Sequence, residues 1–205
     1  MKLFTQHTLL KLSYAAALLL ATTSLRLTSV YAAEAGNVND QRIIDAQRNE
    51  PGSWLTYGQT YKEQRFSELT QINRSNIAEL DLAWSKPIGD YNMRMQGTPL
   101  VVDGVMYVSN GWSVIYALNA TNGEEIWRHD PEVDRSYAAL ACCGPAHNRG
   151  VAVYDGKVFV GTFDGRLIAV DANTGEELWD IDTWIPEGLG RFNITGAPRA
   201  AAGKI

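Results

Sequence analysis

A 52-residue internal repeat constrains the fold of this chain more than any other feature of its sequence. Residues 103–127 align without a gap on residues 155–179, and nine of the 25 positions are identical. Both copies begin with Asp-Gly and end with the pattern Ala-x-Asx-Ala-x-x-Gly-Glu-Glu-aliphatic-Trp. A fixed period of this length is typical of stacked supersecondary units that share their cores with their neighbours.

Each copy has the pattern of antiparallel strands joined by tight turns. Asp103-Gly104 and Asp155-Gly156 predict hairpin turns because both residue types tolerate positive φ. Short alternating apolar strands follow, and the last one ends at Trp127 or Trp179. Such strands fit a sandwich, a barrel or a propeller, and the long regular period favours an all-β propeller with one four-stranded sheet per unit.

The repeat extends in both directions. Leu80–Trp84 resembles the end of an earlier copy, and residues 196–204 echo residues 97–105, so a third unit begins near Gly196. Two units and a start leave an apolar face uncovered. We therefore expect the chain to be the N-terminal part of a longer protein. The alternative is a small complete protein that oligomerises to finish its core.

The first 32 residues have the pattern of a secretory signal peptide. Basic Lys2 and Lys11 precede an apolar run over residues 12–25, and Val30-Tyr31-Ala32 places small residues at a cleavage site. An uncleaved anchor is the alternative. No later apolar stretch approaches the ~18 residues of a membrane span. We expect export to the periplasm, a leader with a short helix over residues 33–53, and a partial propeller over residues 54–205.

Cleavage after Ala32 would also change the charge. Residues 1–32 contain three basic residues and no acidic residue. Their removal would give a mature chain with 15 Lys and Arg against 23 Asp and Glu, a net charge of −8. Nucleic acid and anionic membranes are poor partners for such a surface.

Cys142 and Cys143 are adjacent and are the only cysteines of the chain. In an oxidising compartment each has no partner within the chain except the other. A bond between neighbours would close a small strained ring, which persists mainly where the surroundings enforce it. A reduced, structural pair is the alternative.

The sequence resembles the secreted alcohol dehydrogenases that depend on pyrroloquinoline quinone (PQQ). The resemblance runs from about Trp54 to the end of the chain, and the Cys pair followed by Asn-Arg-Gly is its most specific part. The motifs that carry it are Trp54–Gly58, Arg65–Ser67, Gly97–Pro99, Cys142-Cys143, Asn148–Ala152, Gly161–Leu167 and Ile194–Arg199.

The resemblance implies an eight-bladed β-propeller, of which this chain would supply about two blades and the start of a third, with PQQ near the axis. It implies that Cys142 and Cys143 form a disulfide against one face of the quinone. It also implies that Arg149 and Thr195 bind the cofactor. Gln96 stands where the family more often has Glu, so its contact with PQQ is an open question.

The resemblance also implies a reaction and its partners. The family oxidises alcohols, with a calcium or lanthanide ion on the quinone and an aspartate as general base, and passes electrons to a cytochrome c. In the family those metal ligands and that aspartate follow the Thr-Gly-Ala-Pro segment, so we assign no catalytic residue and no metal ligand to this chain.

The chain departs from the pattern of the family it resembles at two further places. The loop from Gly144 to His147 is one residue longer than usual, which could shift Arg149, and His147 itself is expected on an exposed loop. Ala200-Ala201-Ala202 is a poor strand sequence. The competing class is a non-enzymatic secreted propeller that acts as a binding or assembly scaffold, although the signal lacks a lipoprotein cysteine.

Overall fold

Two four-stranded antiparallel sheets form the centre of the structure, a computed structural model that describes residues 35–89, 93–136, 145–183 and 192–205. Residues 1–32, the predicted signal peptide, lie outside the described residues. The strands are β1 (Arg94–Met95), β2 (Leu100–Val102), β3 (Val105–Ser109), β4 (Ile115–Asn119), β5 (Glu125–His129), β6 (His147–Asn148), β7 (Ala152–Tyr154), β8 (Lys157–Gly161), β9 (Arg166–Asp171) and β10 (Glu177–Asp182). Blade 1 has the strand order β2-β3-β4-β5 and blade 2 the order β7-β8-β9-β10.

The two sheets confirm the prediction of one four-stranded unit per repeat. The predicted strand ends at the tryptophans were wrong, since β5 runs on to His129 and β10 to Asp182. The ladder continues because the neighbouring strands are long enough to pair with these residues: Ile115 lies opposite His129, and Arg166 lies opposite Asp182.

The third unit begins with the same turn as the other two. Asp103, Asp155 and Ala202 have φ of 52°, 50° and 51°, and the glycine after each has φ between 71° and 78°. Ala201 and Lys204 form an antiparallel bridge across the third turn. The sequence echo near Gly196 therefore marks a real hairpin, even though its residues are poor strand formers.

Ala202 is the one of these three turn residues that has neither a polar side chain nor glycine's freedom at positive φ. We expect Ala202→Gly to raise the free energy of unfolding of the full-length protein by about 1 kcal/mol, because it relieves the left-handed backbone. Ala201→Gly is the control and should lower the free energy of unfolding by about 0.5–1 kcal/mol. At this neighbouring position, glycine relieves no left-handed backbone and only raises the conformational entropy of the unfolded chain. Urea unfolding of both variants tests the opposite signs, and equal signs would contradict the turn assignment.

Two of the repeat tryptophans, Trp84 and Trp127, each bind the turn of the next unit. The Trp127 indole donates to the Ala172 carbonyl (3.0 Å) and covers Gly175, where an added Cβ would lie 2.5 Å from the ring. Trp84 repeats the arrangement one unit earlier, with a bond to the Ala120 carbonyl (3.3 Å) and its ring over Gly123. The prediction that Trp84 belongs to an earlier copy of the repeat is confirmed, and the indole N–H is the group that links neighbouring units.

Apolar side chains of both blades share one core. The Tyr107 hydroxyl, fully buried, donates to the same Ala172 carbonyl (3.0 Å) as Trp127. Burial raises the pKa of Tyr107, so this hydroxyl stays protonated and keeps donating. The interface between blades 1 and 2 is thus an apolar core with a small number of satisfied polar groups. Its buried members include Leu100, Val102, Ile115, Val158, Ile168 and Val170.

The leader contains the helix α1 (Asp40–Asn49), which lies within the residues 33–53 where a short helix was predicted. Asn39 caps it by accepting from the Arg42 N–H (2.9 Å). Arg42 pairs with Glu50 (2.7 Å) and with Asp103 in the blade 1 turn (2.6 Å), and its guanidinium holds the pKa of Glu50 below its usual value. Within the described residues, no helix is long and apolar enough to cross a membrane.

The leader also contacts the corresponding turns of the other two units. The Val38 carbonyl accepts from the Asp155 N–H (2.8 Å) in blade 2. The Asp40 carboxylate accepts from the Ala202 N–H (3.0 Å) in the third unit, and from the Tyr61 hydroxyl. One segment therefore connects all three turns. Each turn follows the first strand of its unit, here called the inner strand, which is β2 in blade 1 and β7 in blade 2.

Candidate functional site

Three of the predicted site residues lie side by side at the other end of the inner strands. β1 pairs in parallel with β6, so Met95 lies opposite Asn148, and the Gln96 N–H donates to the Asn148 carbonyl (3.1 Å). The Arg149 N–H donates to the Thr195 carbonyl (3.0 Å). The backbone thus links the start of blade 1 to blade 2, and blade 2 to the third unit.

The side chains of Arg149 and Thr195 also meet. An Nη1 of the half-buried Arg149 donates to the Thr195 hydroxyl (2.5 Å). The longer loop before Asn148 has therefore not moved Arg149 away from Thr195. Gln96 enters the arrangement through its backbone, and its side chain is exposed beside the same strands. Cys142 and Cys143 lie outside the described residues, so their disulfide and their contact with a quinone stay predictions.

Glycines allow the inner segments of blades 1 and 2 to approach closely. A Cβ on Gly97 would lie 3.1 Å from the Cα and the N of Gly150, closer than most real contacts. Gly150 has φ of 117°, which side chains rarely adopt. The glycines that follow Gln96 and Arg149 thereby hold the two site residues on adjacent backbones.

The Asn148 side chain holds the backbone next to Arg149 through four hydrogen bonds, a role that the sequence did not predict. It is fully buried, and its Oδ1 accepts from the Ser109 hydroxyl (2.7 Å) and the Gly150 N–H (2.8 Å). Its Nδ2 donates to the Ser113 hydroxyl (3.2 Å) and the Gly161 carbonyl (2.9 Å). All four hydrogen-bonding positions of the amide are filled, which fixes the backbone on which Arg149 stands.

The expectation that His147 lies on an exposed loop was wrong. His147 is 5% exposed and is part of β6, because its backbone pairs with Arg94 of β1. Its ring lies edge-on to Phe163, with the ring centroids 5.9 Å apart. Packing explains its burial, since Phe163 and Trp112 form a small apolar cluster around it.

The groups at this site suit a planar polyanion. Arg149 has five N–H donors in a fork that matches carboxylates, Thr195 adds a hydroxyl, and Gln96 adds a neutral amide. In the described part of the chain, no carboxylate forms an ion pair with Arg149. The same part contains no cluster of three or more His, Cys, Asp or Glu residues that could hold a metal ion. These donors fit the carboxylates and carbonyls of PQQ.

Fold and site together define a β-propeller with a cationic, polar site where the inner strands of its blades begin. The family model described as the PQQ glucose/ethanol/alcohol dehydrogenase β-propeller domain matches residues 54–181. The chain belongs to this family.

Individual relatives agree with the family assignment. The quinohemoprotein alcohol dehydrogenase ADH-IIG of Pseudomonas putida is 50% identical over 169 residues, which cover 82% of this chain and 23% of that protein. Its structure superimposes with a TM-score of 0.78 at 49% identity, over 83% of this chain and 25% of that one.

Two further relatives are named for an electron acceptor and for a metal. The 1-butanol dehydrogenase (cytochrome c) of Thauera butanivorans is 47% identical over 75% of this chain and 22% of its own length. A europium-containing methanol dehydrogenase structure has a TM-score of 0.66 at 38% identity, over 77% of this chain and 27% of that one. The chain spans about a quarter of the length of the relatives that it matches.

A pattern in the sequence does mark the three site positions. Gln96, Arg149 and Thr195 are each followed by glycine, and each dipeptide stands a few residues before a hairpin turn of the repeat. In blades 1 and 2 the glycine permits the close approach of Gly97 and Gly150, whereas an added Cβ at Gly196 would meet no atom within 4 Å. The repeat could therefore have located these positions without the family resemblance.

Proposed function

We propose that this chain forms the cofactor-binding start of a PQQ-dependent enzyme that oxidises alcohols to aldehydes or ketones. The observation that carries the proposal is the contiguous row of Gln96, Arg149 and Thr195 on three inner segments joined by backbone hydrogen bonds. Arg149 would bind a carboxylate or a quinone oxygen, Thr195 would hold both Arg149 and the cofactor, and Gln96 would add a neutral contact.

We infer the remaining parts of the function from the relatives and from the sequence. Bound PQQ supplies the acceptor for the hydride of the alcohol. A calcium or lanthanide ion and a cytochrome c are proposed as metal and electron acceptor, in line with the names of two relatives. No metal ligand and no catalytic base are assigned to residues of this chain. Cys142 and Cys143 are proposed as a disulfide next to the quinone.

Arg149 offers the direct test of this proposal. In full-length protein prepared without cofactor, we expect PQQ and calcium to restore dye-linked alcohol oxidation. Arg149→Gln should weaken PQQ binding roughly 10- to 100-fold, because a hydrogen bond to a charged group contributes about 1.5–3 kcal/mol. Fluorescence titration of the apoprotein measures this affinity.

Arg128→Gln is the matched control, because Arg128 is exposed on the outer strand β5 and should bind PQQ normally when replaced. Alcohol oxidation that does not respond to PQQ would refute the proposal.

We also propose that the protein is exported to the periplasm. Mass spectrometry of the protein purified from the periplasm should then find a chain that starts at Ala33.

A further inference from the structure

A buried amide without a hydrogen-bond partner lies next to the site. The Nδ2 of Asn193 has no contact with solvent and no partner in the described part of the chain. A buried donor in this state is unfavourable, because it has lost its bonds to water and gained none from protein. Such a group in a native structure requires an explanation, and an absent ligand is one.

Backbone and side-chain contacts indicate which way Asn193 faces. The Ile194 N–H donates to the Thr162 carbonyl (3.1 Å), and the Ile194 side chain lies against Gly161, where a Cβ would come within 2.3 Å of it. Thr195, the next residue, instead contacts the Arg149 guanidinium. Asn193 and Thr195 are the two chain neighbours of Ile194, and residues two apart in extended chain face the same way, which favours the side of Thr195 for Asn193.

Position separates Asn193 from the other unpartnered buried groups of the described residues. Thr56 and Gln59 lie in the segment between α1 and β1, which bridges to β2 through Trp54 and Val101. His129 is on the outer strand β5, and the unpartnered atom of Asn173 is an acceptor in the turn between β9 and β10. Asn193 alone among them is an amide donor two residues from a predicted cofactor-binding residue.

We propose that Asn193 is a further cofactor-binding residue, whose amide N–H donates to a carboxylate or quinone oxygen of PQQ. The inference rests on the proposed function. A neutral donor beside Arg149 and Thr195 would add directional hydrogen bonding to the charge that Arg149 supplies. It would also satisfy the one polar atom of this segment that the protein itself leaves without a partner.

Equilibrium titration of the full-length apoprotein with PQQ tests this proposal. Asn193→Ala should weaken binding about tenfold, the loss that corresponds to one hydrogen bond. Asn193→Asp has nearly the same size but replaces the donor with an anion, so it should weaken binding more than Asn193→Ala. Asn173→Ala removes an amide whose oxygen is the unpartnered atom, in the turn between β9 and β10, and should leave the affinity unchanged.

Thermal unfolding with and without PQQ separates a binding role from a structural one. Without PQQ, Asn193→Ala should melt no lower than the unaltered protein, because the amide has no partner to lose. With PQQ, the rise in melting temperature should be smaller for the variant, because its affinity is lower. A variant that melts lower without PQQ and binds it as tightly as the unaltered protein would overturn the inference.

The outcomes also distinguish this inference from the proposed function. If the unaltered protein binds PQQ and both Asn193 variants bind it equally well, the role of Asn193 is wrong and the proposed function stands. If the unaltered apoprotein does not bind PQQ, the proposed function fails, and the inference fails with it.

Discussion

Replacing Asn148 with alanine is expected to lower the free energy of unfolding of the full-length protein by about 3 kcal/mol, as fits a buried hydrogen-bond network that loses its centre. The Asn148 amide joins the Ser109 and Ser113 hydroxyls to the Gly150 N–H and the Gly161 carbonyl. The substitution would leave the buried Gly150 N–H without its partner and would remove one of two side-chain donors to the Gly161 carbonyl, the other being the Ser113 hydroxyl (3.3 Å). Urea unfolding measures the loss.

Asn122→Ala is the control for this prediction. Asn122 also accepts from a backbone N–H, that of Glu124 (3.0 Å), but it is exposed in the turn between β4 and β5. Because water can replace its bonds, we expect a loss of only about 0.5 kcal/mol. Equal effects of the two substitutions would show that Asn148 does not hold the backbone as described above.

The second large effect is expected at Gly175. An alanine there would adopt φ of 73° and would place its Cβ 2.5 Å from the Trp127 ring. The left-handed backbone costs about 1–2 kcal/mol, and overpacking of the indole costs about 1–3 kcal/mol more. We expect Gly175→Ala to lower the free energy of unfolding by about 3 kcal/mol in total.

Gly156 provides a matched control, because its φ is 71° and an added Cβ would meet no atom within 4 Å. Gly156→Ala should therefore show only the backbone effect, about 1–2 kcal/mol. The difference between the two alanine variants, measured by urea unfolding, isolates the contact between Trp127 and the next blade. If the two losses were the same, that contact would contribute nothing to stability.

The sequence predicted those parts of the fold that local chemistry decides. Asp103-Gly104 and Asp155-Gly156 form left-handed turns because few other residues adopt that backbone, and the helix starts at Asp40 because the Asn39 side chain caps it. The tryptophan contacts between blades were also predictable, since the indole N–H and the turn glycine repeat at a fixed spacing.

Features that depend on non-local pairing could not be predicted in this way. His147 is buried because β6 pairs with β1, more than 50 residues earlier in the chain, and nothing near His147 indicates that partner. Asn148 has a similar explanation: its four partners come from both blades and from its own loop. Strands β5 and β10 continue past their tryptophans because the neighbouring strands β4 and β9 are long enough to pair with them. Strand length is therefore decided by both paired strands and not by either sequence alone.

The candidate site shows the same division. Arg149 and Thr195 were assigned by resemblance, and the structure places them in contact. Asn193 could not be predicted from the sequence, because an asparagine in a short loop segment is most often a turn residue and only the buried Nδ2 distinguishes it.

The leader has a consequence for the order in which the chain assembles. Its residues precede both blades in the chain, yet Asp40 binds Ala202, 162 positions later, and Val38 binds Asp155. Contacts so distant in sequence are expected to form late, because closing the long intervening chain costs entropy before the contact is gained. We therefore expect the leader to dock only after the blades have folded, when it completes the hairpin ends of three successive units.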